Sequence, residues 1–200
     1  MRKACFFDGL SEREVARWAV KLRYFLRKVA KHQGGKRLLI KNPVYTARVR
    51  RIRAIWPDAR FIHIYRNPYT VYASTVRYFK KLLPELALQD YDGLDIEGLV
   101  LKAYPRMLDE LYDSTAGLDA AHFAEVQFEE LEREPIAVLE RLYQQVGLED
   151  WESAKSRTEA YLRSIDSYRK NQFTMGETDR ETVNRRWGKY GEKWGYLATA

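Results

Sequence analysis

The sequence predicts an α/β fold in which a short parallel sheet of about three strands is flanked by helices, with a helix-rich C-terminal half. Three short segments with the pattern of strands support this prediction, because each is followed by a segment with apolar residues at helical spacing. They lie at residues 38–40, 61–65 and 122–128. A chain of 200 residues with 46% hydrophobic residues is the right size for a single domain over 1–200.

The most informative stretch, residues 59–74, combines a strand with the start of a helix. Its apolar residues are almost continuous over 61–65, as in a strand covered on both faces. Asn67 is a favourable N-cap and Pro68 fits the first helical turn, so a helix begins there. Arg66 therefore stands at the carboxyl end of a strand and beside a helix N-terminus. The free amides and the dipole of that helix attract an anion such as phosphate.

An earlier segment repeats the same order of residues. A short apolar strand at 38–40 is followed by Lys41, by an Asn-Pro pair and by a helix predicted over 44–56. Adjacent parallel strands carry their ends to the same edge of a sheet. We therefore expect Lys41 and Arg66 to converge on one anionic ligand.

Composition narrows the class of ligand and the compartment. The net charge of +7 favours an anionic partner, whether nucleotide, nucleic acid or membrane surface. The single cysteine, Cys5, cannot form an internal disulfide, and no Cys/His cluster has metal-ligand spacing. We therefore expect no metal and a reducing, cytoplasmic location. The sequence contains no membrane-spanning segment, and Asp8 ends the first apolar run too early for a signal peptide.

Several polar residues have a structural explanation. Ser11 and Glu14 form a capping box that begins an amphipathic helix ending near His32. The basic residues of this helix and the arginines within 48–53 are interpreted as solvated faces. His63 alternates with apolar residues inside its strand and is interpreted as an interior histidine with a hydrogen-bond partner.

The segment of Arg66, Asn67 and Pro68, with Ser74 eight residues after the arginine, resembles a segment of the sulfotransferases that use 3′-phosphoadenosine 5′-phosphosulfate (PAPS). In that family the arginine and the serine bind the 3′-phosphate that distinguishes PAPS from ATP. The resemblance implies that Arg66 and Ser74 bind the cofactor in the same way.

Lys41 resembles the lysine that this family places near the transferred sulfonate. The resemblance implies a catalytic role, because a compact ammonium can stabilise the charge that develops on the bridging oxygen. Many relatives have a histidine base soon after this lysine, whereas this chain has Tyr45. An unperturbed tyrosine, with a pKa of about 10, is a poor base at neutral pH. The catalytic base is therefore not identified.

Two later segments resemble the family more loosely. The segment around Phe128 resembles one in which a tyrosine lies beside the adenine, which implies that the phenylalanine stacks there. Glu129 and Glu130 are interpreted as the start of a helix rather than as a catalytic pair. Arg169 and Lys170 resemble a late basic element that reaches over the 3′-phosphate, although the glycine that follows in the family is absent. The Trp-rich tail is predicted to be a packed C-terminal helix.

The resemblance implies part of a P-loop-kinase-like, three-layer fold. In the family, the first strand is followed by a Gly/Ser/Thr-rich loop that wraps the 5′-phosphosulfate, and no such segment occurs in this sequence. We therefore expect either an N-terminally incomplete domain, a fragment that supplies the 3′-phosphate-binding part, or a chain that has lost half of the cofactor site. The implied reaction transfers sulfonate to a hydroxyl or amine acceptor, so the expected partners are a nucleotide and an unidentified acceptor.

A second hypothesis stays open at this point. A noncatalytic basic module for nucleic acid or for a partner protein would have the same net charge, and aromatic residues among basic ones are typical of single-strand binders. A small-molecule kinase is disfavoured, because it too needs the phosphate-binding loop.

Overall fold

The computed structural model describes residues 2–165 and 175–197, and it confirms a mostly helical α/β fold. In addition to a 3-10 helix at Pro43–Arg48, the described elements are α1 (Arg2–Phe6), α2 (Glu12–His32), α3 (Val49–Ile55), β1 (Phe61–Tyr65), α4 (Pro68–Leu86), α5 (Ile96–Thr115), β2 (Phe123–Gln127), α6 (Phe128–Arg133), α7 (Pro135–Gln145), α8 (Trp151–Ser164) and α9 (Glu177–Lys193).

The sheet in the described residues has two parallel strands, β1 and β2. The strand predicted at 38–40 is wrong, because this segment has no regular secondary structure. An apolar segment becomes a strand only where a neighbouring strand pairs with its backbone, and none does so within the described residues. Leu39 is consequently 94% exposed.

One face of β1 is open. Ile62 and Ile64 are 38% and 52% exposed, whereas the alternate residues of the strand are half-buried. The prediction of a strand covered on both faces is therefore wrong. A continuous apolar run shows that both faces would favour burial, but burial also requires an element packed on each face.

Both Asn-Pro pairs begin helices, as predicted. The side-chain oxygen of Asn67 accepts hydrogen bonds from the backbone N–H groups of Tyr69 (3.0 Å) and Thr70 (3.4 Å), and this caps α4. Asn42 caps the next segment in the same manner. That segment is first the 3-10 helix Pro43–Arg48, and the α-helical part begins only with α3.

The chain divides into two compact units. The first comprises Met1–Phe61 and Met107–His122. Its longest helix, α2, begins with the predicted capping box: Glu14 N–H donates to Ser11 Oγ at 3.3 Å, and Ser11 N–H donates to the Glu14 carboxylate at 2.8 Å. These two reciprocal bonds satisfy donors that would otherwise have no partner at the helix start.

Arg48 departs from the prediction of solvated arginines. Its side chain is buried in the first unit, its Nε donates to the carbonyl of Cys5 at 3.2 Å, and its guanidinium carbon lies 4.4 Å from the centre of the Phe7 ring. The centre of the Trp18 ring, which meets the Phe7 ring edge-on, lies 5.3 Å from the same guanidinium carbon. Burial lowers the pKa of Arg48. Aromatic faces attract a guanidinium, so this arginine is part of the local packing.

The second unit comprises Ile62–Arg106 and Phe123–Ala200. Helix α9 packs against α4, and Trp187 of α9 is fully buried. The indole N–H of Trp187 donates to the carbonyl of Leu101 in α5 at 3.1 Å. This confirms the predicted packed C-terminal helix. A separate cluster of buried apolar residues joins β2 to α7.

In residues 2–165 and 175–197, no helix combines the length and the apolar character needed to cross a membrane. Nor do the His, Cys, Asp and Glu side chains of these residues form a group that could hold a metal ion.

Candidate functional site

Two residues that follow β1 contact the two residues that follow β2. Arg66 lies against Phe128, and Asn67 bonds to Glu129, each pair being separated by 62 residues. Paired parallel strands carry equivalent positions to the same end of the sheet, so the residues after one strand meet those after the other. The candidate site of the second unit is at this end.

Arg66 has an unpaired donor. Its guanidinium carbon lies 4.3 Å from the centre of the Phe128 ring, yet its Nε is buried and has no hydrogen-bond partner in the part of the chain described. A buried donor without an acceptor costs about 1–3 kcal/mol, and nearly all such groups in folded proteins are paired. Guanidinium donors match the oxygens of a phosphate. The end of β1 is therefore a candidate anion site, and Arg66 fits a phosphate-bearing ligand.

The amides at the start of α4 are not free. Glu129 Oε1 accepts the backbone N–H of Asn67 at 3.1 Å, and the Asn67 side chain accepts the N–H groups of Tyr69 and Thr70. Pro68 has no N–H to offer. The prediction that free helix amides bind the anion is therefore wrong, because acceptors of the protein itself already occupy them. Side chains must hold an anion here.

Glu129 also contacts the C-terminal tail. Its Oε2 accepts a hydrogen bond from the hydroxyl of Tyr196. Burial, and then this bond, raise the pKa of Tyr196 above its ordinary value, so the hydroxyl keeps its proton at neutral pH. The Tyr196 ring meets Tyr65 edge-on at 6.5 Å, and Tyr65 stacks on Trp194 at 5.0 Å. The tail is thus packed against the end of β1.

Two other ionisable residues near these strands, His63 and Glu130, are paired within the fold. His63 Nδ1 lies 3.0 Å from Glu125 Oε1, which confirms an interior histidine with a partner. Arg141 donates to both carboxylate oxygens of Glu130, at 3.1 and 2.9 Å. This hydrogen bond lowers the pKa of Glu130. The pairing supports the interpretation of Glu130 as a structural residue.

Ser74 lies on α4, eight residues after Arg66. It is half-buried, and its hydroxyl donates to the Val71 carbonyl at 3.1 Å. The structure thus brings Arg66 and Phe128 together, whereas the hydroxyl of Ser74 is bonded within its own helix. A shared role for Ser74 and Arg66 in binding one phosphate stays a prediction.

Lys41 belongs to the first unit, where it is exposed and follows the unpaired segment 38–40. The prediction that Lys41 stands at the end of a strand is therefore wrong, because that strand does not form in the described residues. The convergence of Lys41 with Arg66 stays a prediction, since each unit is described by itself. Arg169 and Lys170 lie outside the described residues.

Sequence reasoning missed the contact of Tyr196 with the site and gave Glu129 only a helix-starting role. The sequence did contain a signal for the contact between Glu129 and Asn67. Asn67 is the second residue after β1, and Glu129 is the second residue after β2. If the strands pair with their ends level, these two positions meet.

Comparison with known sequences identifies the family. The model of the sulfotransferase family matches residues 7–153. The chain is also 32% identical over 191 residues to the omega-hydroxy-beta-dihydromenaquinone-9 sulfotransferase Stf3 of Mycobacterium bovis and to that of Mycobacterium tuberculosis. Each alignment covers 94% of this chain and 48% of the relative. The chain therefore spans about half the length of the curated relatives it matches.

Comparison with solved structures shows the fold. The crystal structure of sulfotransferase STF9 from Mycobacterium avium superposes with a TM-score of 0.62 at 17% sequence identity. The superposition covers 80% of this chain and 42% of that protein. The family match spans the segments that contain Lys41, Arg66 and Phe128. On this basis, the chain belongs to the sulfotransferase family.

Proposed function

We propose that this chain forms the 3′-phosphate-binding part of a PAPS-dependent sulfotransferase. The observation that carries the proposal is the buried Nε of Arg66 at the carboxyl end of β1, a donor that has no acceptor within residues 2–165 and 175–197. When bound, PAPS supplies an activated sulfonate for transfer to an acceptor. In this proposal, the loop that holds the 5′-phosphosulfate comes from a segment outside these 200 residues, and the reaction takes place in the cytoplasm.

Arg66 would bind the 3′-phosphate through its guanidinium. The contact with Phe128 limits the rotation of this group, so its donors are oriented before the ligand arrives. Ser74 would add its hydroxyl. Because a hydroxyl has one proton, the phosphate would compete with the Val71 carbonyl for it.

Phe128 would contact the adenine. The Arg66 guanidinium covers one face of the ring, so an adenine could meet only the opposite face or an edge. Two parts of one nucleotide, its 3′-phosphate and its adenine, would then be recognised by neighbouring residues. Arg169 and Lys170 would reach over the phosphate and add positive charge.

Lys41 would stabilise the charge that develops on the bridging oxygen when the sulfonate leaves. Its exposure leaves the ammonium accessible to a ligand. Between the hydroxyl and amine acceptors of this family, we propose a hydroxyl. The Stf3 relatives support this choice, since their substrate is named as an omega-hydroxy compound.

The test is protection against thermal unfolding by 3′-phosphoadenosine 5′-phosphate compared with 5′-AMP. The two nucleotides differ only in the 3′-phosphate, so we expect stronger protection by the first. Arg66→Ala should abolish the difference, whereas Arg163→Ala, at an exposed arginine of α8, should leave it unchanged.

Equal protection of the folded wild-type protein by both nucleotides would contradict the proposal. Binding to an oligonucleotide that weakens steeply with salt, without preference for a 3′-phosphorylated mononucleotide, would instead favour a noncatalytic basic module.

A further inference from the structure

We infer that Tyr196 and Glu129 are positioning residues for Arg66. The hydroxyl of Tyr196 fixes the Glu129 carboxylate, and the carboxylate fixes the turn that carries the guanidinium. The inference rests on the proposed role of Arg66 in binding the 3′-phosphate.

Each oxygen of Glu129 has a separate partner. Oε1 accepts the backbone N–H of Asn67 at 3.1 Å, and Oε2 accepts the hydroxyl of Tyr196. Asn67 directly follows Arg66 and is the N-cap of α4. Without the carboxylate, the amide of Asn67 would lose its acceptor at a half-buried position, and the turn would change its conformation to recover one.

The turn is fixed at two successive residues. Arg66 lies on Phe128, and Asn67 bonds to Glu129, so two neighbours on one segment contact two neighbours on the other. A single contact would still allow the segment to rotate, whereas two contacts restrain its direction. The direction matters because a guanidinium binds a phosphate through donors in a fixed, planar arrangement.

The backbone at the end of α9 brings Tyr196 back toward the sheet. Gly195 has a φ of +74°, and its N–H donates to the Glu192 carbonyl at 3.0 Å, while the N–H of Tyr196 donates to the Gly191 carbonyl at 2.8 Å. These two bonds and the left-handed residue form a Schellman motif, in which glycine is favoured. Contact with Tyr65 then holds the ring of Tyr196 in place.

The test compares the ratio of affinities for 3′-phosphoadenosine 5′-phosphate and 5′-AMP, measured by calorimetric titration. Tyr196→Phe removes the hydroxyl that bonds to Glu129 and also to the Gln127 side chain, and we expect the ratio to fall about fivefold. Glu129→Ala removes both contacts of the carboxylate, and we expect the ratio to fall about tenfold. Glu129→Gln keeps an oxygen that accepts the Asn67 N–H, and its amide N–H can donate to the oxygen of Tyr196, so both contacts persist and the ratio should be retained. A merely structural role would lower both affinities together and leave the ratio unchanged.

Two substitutions outside the site serve as controls. Tyr161→Phe removes a hydroxyl from a tyrosine that is 60% exposed on α8, and Glu149→Ala removes an exposed carboxylate. Neither should change the ratio. If Tyr196→Phe and Glu129→Ala behave like these controls, the inference is overturned.

A measurement without ligand separates this inference from the proposed function. Hydrogen exchange of the Asn67 amide should become faster in Glu129→Ala than in the wild type, relative to the Val71 amide within α4. Unchanged exchange would overturn the inference, whatever the nucleotide data show. A wild-type protein with no preference for the 3′-phosphate would instead refute the proposed function.

Discussion

The guanidinium carbon of Arg66 lies 4.3 Å from the centre of the Phe128 ring, and the two residues occupy equivalent positions after the two paired strands. Their contact is therefore a consequence of strand register, as is the bond between Asn67 and Glu129. The contact orients the cation, and its Nε has no acceptor among the residues that the structure describes. An arginine held in this way is prepared for an anionic ligand.

Replacing Arg66 should affect ligand binding far more than stability. The contact with Phe128 contributes about 0.5–1 kcal/mol, whereas the unpaired Nε costs about 1–3 kcal/mol. We therefore expect Arg66→Met to leave the free energy of unfolding unchanged or slightly higher, as measured by urea denaturation without ligand. A loss of more than about 2 kcal/mol would indicate that Arg66 is primarily a structural residue.

Replacing Ser74 should separate a binding role from a helical one. Its hydroxyl bonds to the carbonyl three residues earlier, and alanine favours a helix at least as well as serine. Ser74→Ala should therefore change stability by less than about 0.5 kcal/mol but weaken binding of 3′-phosphoadenosine 5′-phosphate about tenfold. Ser164→Ala is the matched control, because Ser164 donates to the Tyr161 carbonyl in the same way. Equal affinities of the two variants would remove Ser74 from the site.

Two buried indole N–H groups should respond differently to substitution by phenylalanine. That of Trp187 donates to the Leu101 carbonyl in a buried cluster, whereas that of Trp151 is buried and has no partner in the described part of the chain. Trp187→Phe should therefore destabilise the protein by about 1–2 kcal/mol more than Trp151→Phe. Urea denaturation of both variants measures the difference. A larger loss for Trp151→Phe would contradict the packing described for α9.

The pair of Glu130 and Arg141 should make a small, pH-dependent contribution to stability. Arg141 lowers the pKa of Glu130, so the contribution is present above the ordinary glutamate pKa and disappears as the pH falls through the lowered value. Glu130→Gln should cost less than about 1 kcal/mol at pH 7, because both side chains are partly exposed. The difference from wild type should vanish at strongly acidic pH. Glu149→Gln serves as the control. If Glu130→Gln lowers the free energy of unfolding by the same amount at every pH, the contribution does not come from the ion pair with Arg141.

The junction at Arg66 could be predicted because its determinants are adjacent in the sequence. Phe61–Tyr65 is the strand, Asn67 is the cap, and Pro68 is the first residue of α4. The cap and the helix start depend on the steric properties and hydrogen bonds of adjacent residues. The α/β fold class followed from the same local signals.

The remaining features depend on partners far along the chain. Leu39 lies in an apolar segment with no described strand beside it. Arg48 is buried because its guanidinium packs against the rings of Phe7 and Trp18. The bond between Tyr196 and Glu129 joins residues 67 positions apart. Residue type and spacing do not specify such contacts, since these depend on how distant segments pack.

The most direct measurement is a crystal structure of this protein with 3′-phosphoadenosine 5′-phosphate. The proposal predicts an oxygen of the 3′-phosphate within hydrogen-bonding distance of Arg66 Nε, with the Ser74 hydroxyl turned from the Val71 carbonyl toward the same phosphate. A bound nucleotide whose 3′-phosphate contacts other residues, while Arg66 Nε still lacks an acceptor, would contradict it.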